Sequence, residues 1–171
     1  MTGSGFEIRT ATFRVSGCSM FFSGLRAVAA AHATRIICFN ADLMAGRAHV
    51  EAAMERALRS VRAGTTISSS LEMEALLYAS GSRQCSIAER FGIHEGKNCA
   101  YVCLCPPTEA AFQDLSALME FVDGDWEILS EDKQERLREA FGITRGELEA
   151  AGSARLRDLV LERVALLEVY R

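Results

Sequence analysis

An α+β fold, with a single small central sheet wrapped by about seven helices, follows from three observations on this sequence. Few segments show the two-residue alternation or short apolar run of a strand. Many more show helical spacing, and two of those open with Ser or Thr followed three residues later by an acid. The chain also has 171 residues, 49% of them hydrophobic, and only 2 prolines, which is enough for one self-folding domain over residues 1–171.

Residues Phe6 to Val15 alternate, with Phe6, Ile8, Thr10, Thr12 and Arg14 on one side and Glu7, Arg9, Ala11, Phe13 and Val15 on the other, and their Thr and Phe content predicts a strand. Met20 to Ala33 is rich in Ala and Leu and predicts a helix that breaks at Thr34. Ile36 to Phe39 is then a short buried strand ending at Asn40-Ala41-Asp42. From Gly46 to Arg62 the apolar set Val50, Ala53, Met54, Ala57, Leu58 and Val61 keeps one helical face, with Glu51, Glu55, Arg56, Arg59 and Arg62 on the other. Ser69 and Glu72 have the form of a capping box for a helix through Ala79, which Ser80-Gly81-Ser82 breaks. A short helix follows from Arg83 to Phe91, with Gly92 as its left-handed end.

Asn98 to Cys105 is apolar throughout and lies between His94-Glu95-Gly96 and Pro106-Pro107, the pattern of a strand buried on both faces. Further helices are predicted from Thr108 to Phe121, Ser130 to Phe141, Thr144 to Ala151 (capping box Thr144 and Glu147) and Ser153 to Tyr170. A short strand fits at Trp126 to Leu129, after Val122-Asp123-Gly124-Asp125.

Composition excludes several function classes. The 19 basic and 23 acidic residues give a net charge of -4, which argues against a strongly basic nucleic-acid domain while permitting a local basic patch. The apolar stretch Met20 to Ala33 is interrupted by Arg26 and His32 and falls short of the about 20 residues that span a bilayer, so no membrane partner is expected. Glu7, Arg9 and Arg14 break any secretory pattern, which leaves a cytoplasmic protein as the expectation. The six cysteines (Cys18, Cys38, Cys85, Cys99, Cys103, Cys105) lie mostly in apolar runs and read as reduced core residues.

Catalytic chemistry finds little support. Cys99, Cys103 and Cys105 fall in a strand and not in the paired knuckles that structural zinc prefers, so no metal site is expected. His32, His49 and His94 are scattered over a helix end, a helix and a turn, and none assembles a triad with a cysteine. Gly3-Ser4-Gly5 is too short for a nucleotide loop, and no G-x-S-x-G or H-E-x-x-H pattern occurs. The expectation is no catalytic residue, no cofactor and no enzyme activity. The alternative from this quarter is a small cysteine-dependent or metal-assisted enzyme built on Cys99, Cys103 and Cys105.

Two features point to binding. In Ala79-Ser80-Gly81-Ser82-Arg83-Gln84, Arg83 and Gln84 start a helix, so backbone N–H groups and a guanidinium converge as in a phosphate site; an ordinary connector with Arg83 in a surface ion pair is the other reading. The arginine row Arg56, Arg59, Arg62, at i, i+3, i+6 on the polar side of its helix, leads into the Ser-rich loop Gly64 to Ser70, and a solvated charged face is its plain explanation. Tyr78, one step before the break, is either a stacking platform or a core residue. In the last predicted helix, Leu156, Leu159, Val160, Val164, Leu166, Leu167 and Tyr170 fill one arc while Leu161 and Val169 fall outside it, as in a central helix or one that meets a partner.

Phe39-Asn40-Ala41-Asp42, Ile67-Ser68-Ser69-Ser70-Leu71-Glu72-Met73-Glu74, the Ala79 to Gln84 stretch and Val160-Leu161-Glu162-Arg163-Val164-Ala165-Leu166-Leu167-Glu168 resemble, in order and spacing, the archaeal members of the PRPK-binding-protein family, the small tRNA-binding subunit of the KEOPS complex. The resemblance covers residues 36 to 169. It implies a non-catalytic subunit that binds the PRPK-like atypical kinase/ATPase and helps deliver tRNA for threonylcarbamoylation of an adenosine, with the threonylcarbamoyl transferase subunit as an indirect partner. It also implies that the single-stranded CCA end of tRNA meets Arg83 and Gln84, with Ser80 and Gly81 shaping the loop; Arg59 and Arg62 of the arginine row are expected to add to that site. Leu161, Val164 and Val169 fall to the kinase interface. Where Ser69 stands the family often has Asn, so the resemblance assigns Ser69 no RNA contact, and a capping role explains it. A protein-only scaffold without RNA binding is the remaining alternative, against which the Ser-Gly-x-Arg-Gln stretch speaks.

Overall fold

Alternation, helical spacing and caps resolve into a definite order of elements in the computed structural model, which describes residues 5–124 and 126–170. The order is β1 (Glu7–Val15), α1 (Cys18–Ala31), β2 (Arg35–Asn40), α2 (Arg47–Ala63), α3 (Leu71–Ser80), α4 (Cys85–Ala88), β3 (Gly96–Cys105), α5 (Glu109–Leu115), β4 (Glu120–Phe121), α6 (Glu131–Phe141), α7 (Arg145–Ala151) and α8 (Leu156–Val169). Single 3-10 turns occupy Ala41–Leu43, Glu89–Phe91 and Ser153–Arg155. One sheet of four antiparallel strands beside eight helices among the described residues makes the class α+β. Gly3, Ser4 and Asp125, which figured in the sequence reading, lie outside the described residues.

The chain forms two compact units, one from Met1–Asn40 with Gly92–Gly124 and the other from Ala41–Phe91 with Asp125–Arg171. The first holds the sheet, in the order β2-β3-β1-β4. The uninterrupted apolar strand β3 takes an interior place, pairing along its length with β1 from Glu7↔Leu104 to Val15↔Gly96 and with β2 from Arg35↔Cys105 to Asn40↔Ala100. The pleat sends Ala11, Phe13 and Val15 of β1, Ile36 and Cys38 of β2, and Ala100, Val102 and Leu104 of β3 to one face. Leu25 of α1 and Ala111, Phe112 and Leu115 of α5 cover that face. Ile37, Phe39, Tyr101 and Cys103, of opposite parity, are buried as well, as the double-sided apolar pattern of β3 requires. Burial raises the thiol pKa of Cys38 to about 12 and shifts Cys103 the same way, which keeps both protonated at neutral pH.

The helical unit is assembled on α2, whose predicted apolar face is buried at Val50, Ala53, Met54 and Ala57, which have no exposed surface, but not at its end, where Leu58 is half-buried and Val61 is exposed. Phe91 and Phe141 meet edge to face at 5.6 Å, and His49 lies 5.6 Å from the Phe141 ring. Among the described residues no helix is long and apolar enough to cross a membrane.

Several local expectations are corrected. The N-cap of α3 is Ser70, whose hydroxyl accepts from the Met73 amide at 3.1 Å, while Ser69 is exposed. The acid that turns back on the loop is Glu74 and not Glu72: fully buried, it accepts from the amides of Ile67 and Ser68 at 2.9–3.1 Å and from the Ser68 hydroxyl at 3.1 Å. A buried carboxylate needs these donors, and only one register of the serine run supplies them. Thr144 caps α7 as expected, its hydroxyl accepting from the Glu147 amide at 3.0 Å, but the Glu147 carboxylate turns to Arg163 at 2.7 Å.

Helix α5 stops at Leu115, short of Phe121, because Glu120 and Phe121 pair with Thr12 and Ala11 as β4. No strand forms at Trp126–Leu129. There the Glu127 carboxylate instead accepts from the Arg47 amide at 2.6 Å and caps α2 from a distant segment. A Cβ at Gly46 would lie 2.5 Å from that carboxylate. Gly92 is not left-handed, since the 3-10 turn Glu89–Phe91 tightens the end of the short helix. Cys85 is exposed and so is no core residue; all six cysteines are free thiols.

Candidate nucleic-acid interface at the break after α3

Helix α3 carries apolar residues on nearly every side and is correspondingly buried: Leu71, Glu74, Ala75, Leu77, Tyr78, Ala79 and Ser80. Its last turn is tied to α2 by two side-chain hydrogen bonds. The Tyr78 hydroxyl and the Ser60 hydroxyl lie 2.8 Å apart, with both residues fully buried. Tyr78 is therefore a core residue and offers no face to a base. The second tie is His49, whose Nδ1 accepts from the Ala45 amide at 2.9 Å, so that Nε2 carries the proton and donates to the Ala79 carbonyl at 2.8 Å. Burial lowers the His49 pKa to about 4, and the ring is neutral in the folded protein.

Beyond this anchored turn the chain reverses at Gly81, which has φ 64 and ψ 22 and whose amide bonds to the Tyr78 carbonyl at 3.1 Å. The Ser82 amide reaches the Leu77 carbonyl at 3.3 Å and the Ser80 hydroxyl at 3.2 Å, and that hydroxyl donates to the Leu77 carbonyl at 2.9 Å. A Cβ at Gly81 would sit 3.3 Å from the Arg163 carbonyl oxygen of α8, so position 81 demands glycine through both backbone and space.

This geometry places the four predicted residues of the break in two roles. Ser80 is buried with its hydroxyl engaged, and Gly81 makes the turn; both shape the loop. Arg83 and Gln84 are exposed on it. The expectation that they begin a helix, with free amides converging on a guanidinium, is corrected: Gln84 is the N-cap, α4 starts at Cys85, and the Gln84 amide is taken by the Ser82 hydroxyl at 3.1 Å. The Arg83 guanidinium has as its partner a neutral carbonyl, that of Tyr170, at 3.3 Å.

The arginine row divides. Arg59 bonds both Glu168 oxygens at 2.8 and 3.0 Å, and Arg56 lies 3.4 Å from the same carboxylate, so these two tie α2 to α8. Arg62, in the last turn of α2, is exposed and makes no ion pair among the described residues.

On α8 the buried residues are Leu156, Leu159, Val160, Val164 and Leu167. Val164, expected at the kinase interface, has 0% exposure and packs in the core, so it supports the helix from within. Leu161 is half-buried and Val169 is 72% exposed, as their places off the arc predict. Leu166 and Tyr170, placed on the core arc by spacing, are 36% and 74% exposed because the burial stripe runs out at Leu167. Sequence reasoning missed Glu74, Ser82 and Tyr170. Their partners lie in other segments or in a turn whose register the serines do not specify.

Among the described residues no group of three or more His, Cys, Asp or Glu is placed to hold a metal ion. A family model described as kinase binding protein CGI-121 matches residues 23–168. No curated protein matches the chain.

The neutral, buried state of His49 generates a pH dependence. Its folded pKa lies below the unfolded value of about 6.5, so its contribution to stability is complete above that pH. As pH falls toward 4, the unfolded chain binds a proton that the folded chain refuses, and roughly 3 kcal/mol is lost. Urea unfolding at a series of pH values is expected to show this loss in the wild type and its absence in His49→Gln; parallel pH profiles would contradict it.

Proposed function

The chain belongs to the kinase binding protein CGI-121 family, and from that premise we propose that it is a non-catalytic KEOPS subunit joining a kinase to tRNA. It binds the PRPK-like atypical kinase/ATPase and holds the single-stranded CCA end of tRNA. In the cytoplasm it supports threonylcarbamoyl-adenosine formation, meeting the threonylcarbamoyl transferase subunit only indirectly and using no cofactor.

The observation that supports the RNA half is the exposed Arg83 on a turn anchored by His49, Ser80 and Gly81, its charge not cancelled by any carboxylate of the described residues. A net-negative protein holds an RNA end when a few cations meet phosphates and the rest of the surface accommodates splayed bases. Gln84 supplies an amide for a base edge and Arg62 a second cation. The kinase half is supported by the apolar residues that α8 leaves at its surface, Leu161 and Val169.

Gel shifts with intact tRNA and with tRNA lacking its CCA end test the RNA half, the expected result being a clear preference for the intact molecule. Arg83→Ala is expected to weaken that binding by about 1–3 kcal/mol with an unchanged melting curve. Equal binding of the two RNAs would remove the CCA end as the ligand, equal binding by the variant would remove Arg83 from the site, and binding of neither RNA would leave a protein-only scaffold.

Leu161→Glu and Val169→Glu are expected to weaken kinase capture strongly, by placing an unpaired charge in an apolar contact, with native circular dichroism. Val169 is exposed enough to guarantee a folded variant. Normal calorimetric binding of the kinase by both variants would remove this face of α8 from the interface.

A further inference from the structure

Holding an unpaired RNA end takes a surface on which a base can stack as well as a cation for its phosphate. Tyr78 cannot supply it, being wholly buried with its hydroxyl on Ser60. Tyr170 is 74% exposed, and no other Phe, Tyr or Trp among the described residues of the helical unit is exposed. It is also held in place. Its amide donates to the Leu166 carbonyl at 3.0 Å, ending α8, and its carbonyl accepts from the Arg83 guanidinium at 3.3 Å. The same guanidinium thus marks the reversal after α3 and holds the backbone of an exposed aromatic residue beside it.

We propose that Tyr170 is the base-stacking residue of the RNA site, its ring receiving an unpaired base of the RNA end whose phosphate meets Arg83. The proposal rests on the reading of the chain as a tRNA-end binder and names a contact that reading lacked. The ring's polarisable face suits any base, so the contact contributes affinity without sequence preference. The Arg83 contact is ionic and salt-dependent.

The test is fluorescence anisotropy with a labelled single-stranded oligonucleotide ending in CCA, titrated at several salt concentrations against wild type, Arg83→Ala, and Tyr170→Ala, Tyr170→Leu and Tyr170→Phe. Tyr170→Ala and Tyr170→Leu are expected to weaken binding about tenfold without changing the salt slope, and Tyr170→Phe to bind nearly as wild type. Arg83→Ala is expected to lower the slope by about 0.7, the single-strand value for one phosphate contact. Wild-type affinity in Tyr170→Ala or Tyr170→Leu, or an equal loss in Tyr170→Phe, would overturn the stacking role while Arg83→Ala still reported an RNA site. Loss of kinase capture by Tyr170→Ala with RNA binding intact would overturn it in favour of a protein contact. A wild type that ignores the oligonucleotide would overturn the underlying reading and this proposal with it.

Discussion

A single imidazole proton governs the candidate site. His49 sits in the first turn of α2, and because its Nδ1 is used by the Ala45 amide, its one N–H has to be delivered to a buried acceptor; the acceptor is the Ala79 carbonyl, at the end of α3. That fixes where α3 stops relative to α2. The Ser60–Tyr78 contact, made by the residue just before Ala79 to a point farther along α2, adds a second tie, and the chain then reverses at once. It does so at Gly81, against the backbone of α8, where any side chain meets the Arg163 carbonyl and an unfavourable left-handed conformation. Arg83 and Gln84 emerge from that reversal. Their position is thus set by contacts to α2 and α8 and by the hydroxyls of Ser80 and Ser82.

Charge follows the same division of labour. Glu168 holds Arg56 and Arg59 and joins α8 to α2; Glu147 holds Arg163 and joins α7 to α8. The buried Glu74 holds no cation among the described residues and is balanced by loop amides and a hydroxyl. Among the described residues no carboxylate pairs with Arg83 or Arg62, and they are the cations that the proposed RNA function uses. A net charge of -4 is no obstacle to this, because a site of two or three phosphate contacts depends on local rather than total charge.

The parts of this arrangement that sequence reveals are those encoded by local spacing. The buried face of α2, the parity of β1, the double-sided burial of β3 and the break at Ser80-Gly81-Ser82 all depend on residues a few positions apart, and all appear where the pattern puts them. The missed features depend on partners far along the chain. Ser68, Ser69 and Ser70 are equivalent as caps until Glu74 draws the loop amides inward. Glu127 caps α2 from about eighty residues away, and Phe121 leaves the predicted helix to pair with Ala11. On α8 the spacing that marks Leu161 and Val169 as off the arc is sound, yet it cannot say that burial ends at Leu167, which leaves Leu166 and Tyr170 in solvent and Val164 inside. The motifs point to the region of the candidate site; which of its residues build the turn and which face outward is a matter of three-dimensional contacts.

The central claim is that the reversal after α3 is preorganised before any RNA arrives. Native-state hydrogen exchange of the Gly81 and Ser82 amides in the ligand-free protein addresses it most directly, because both are bonded only within this turn, to Leu77, Tyr78 and Ser80. The account predicts protection approaching that of the buried amides of α3. Exchange at the rate of an unstructured loop would show that the turn forms only on binding and that the anchoring by His49 does not set the site.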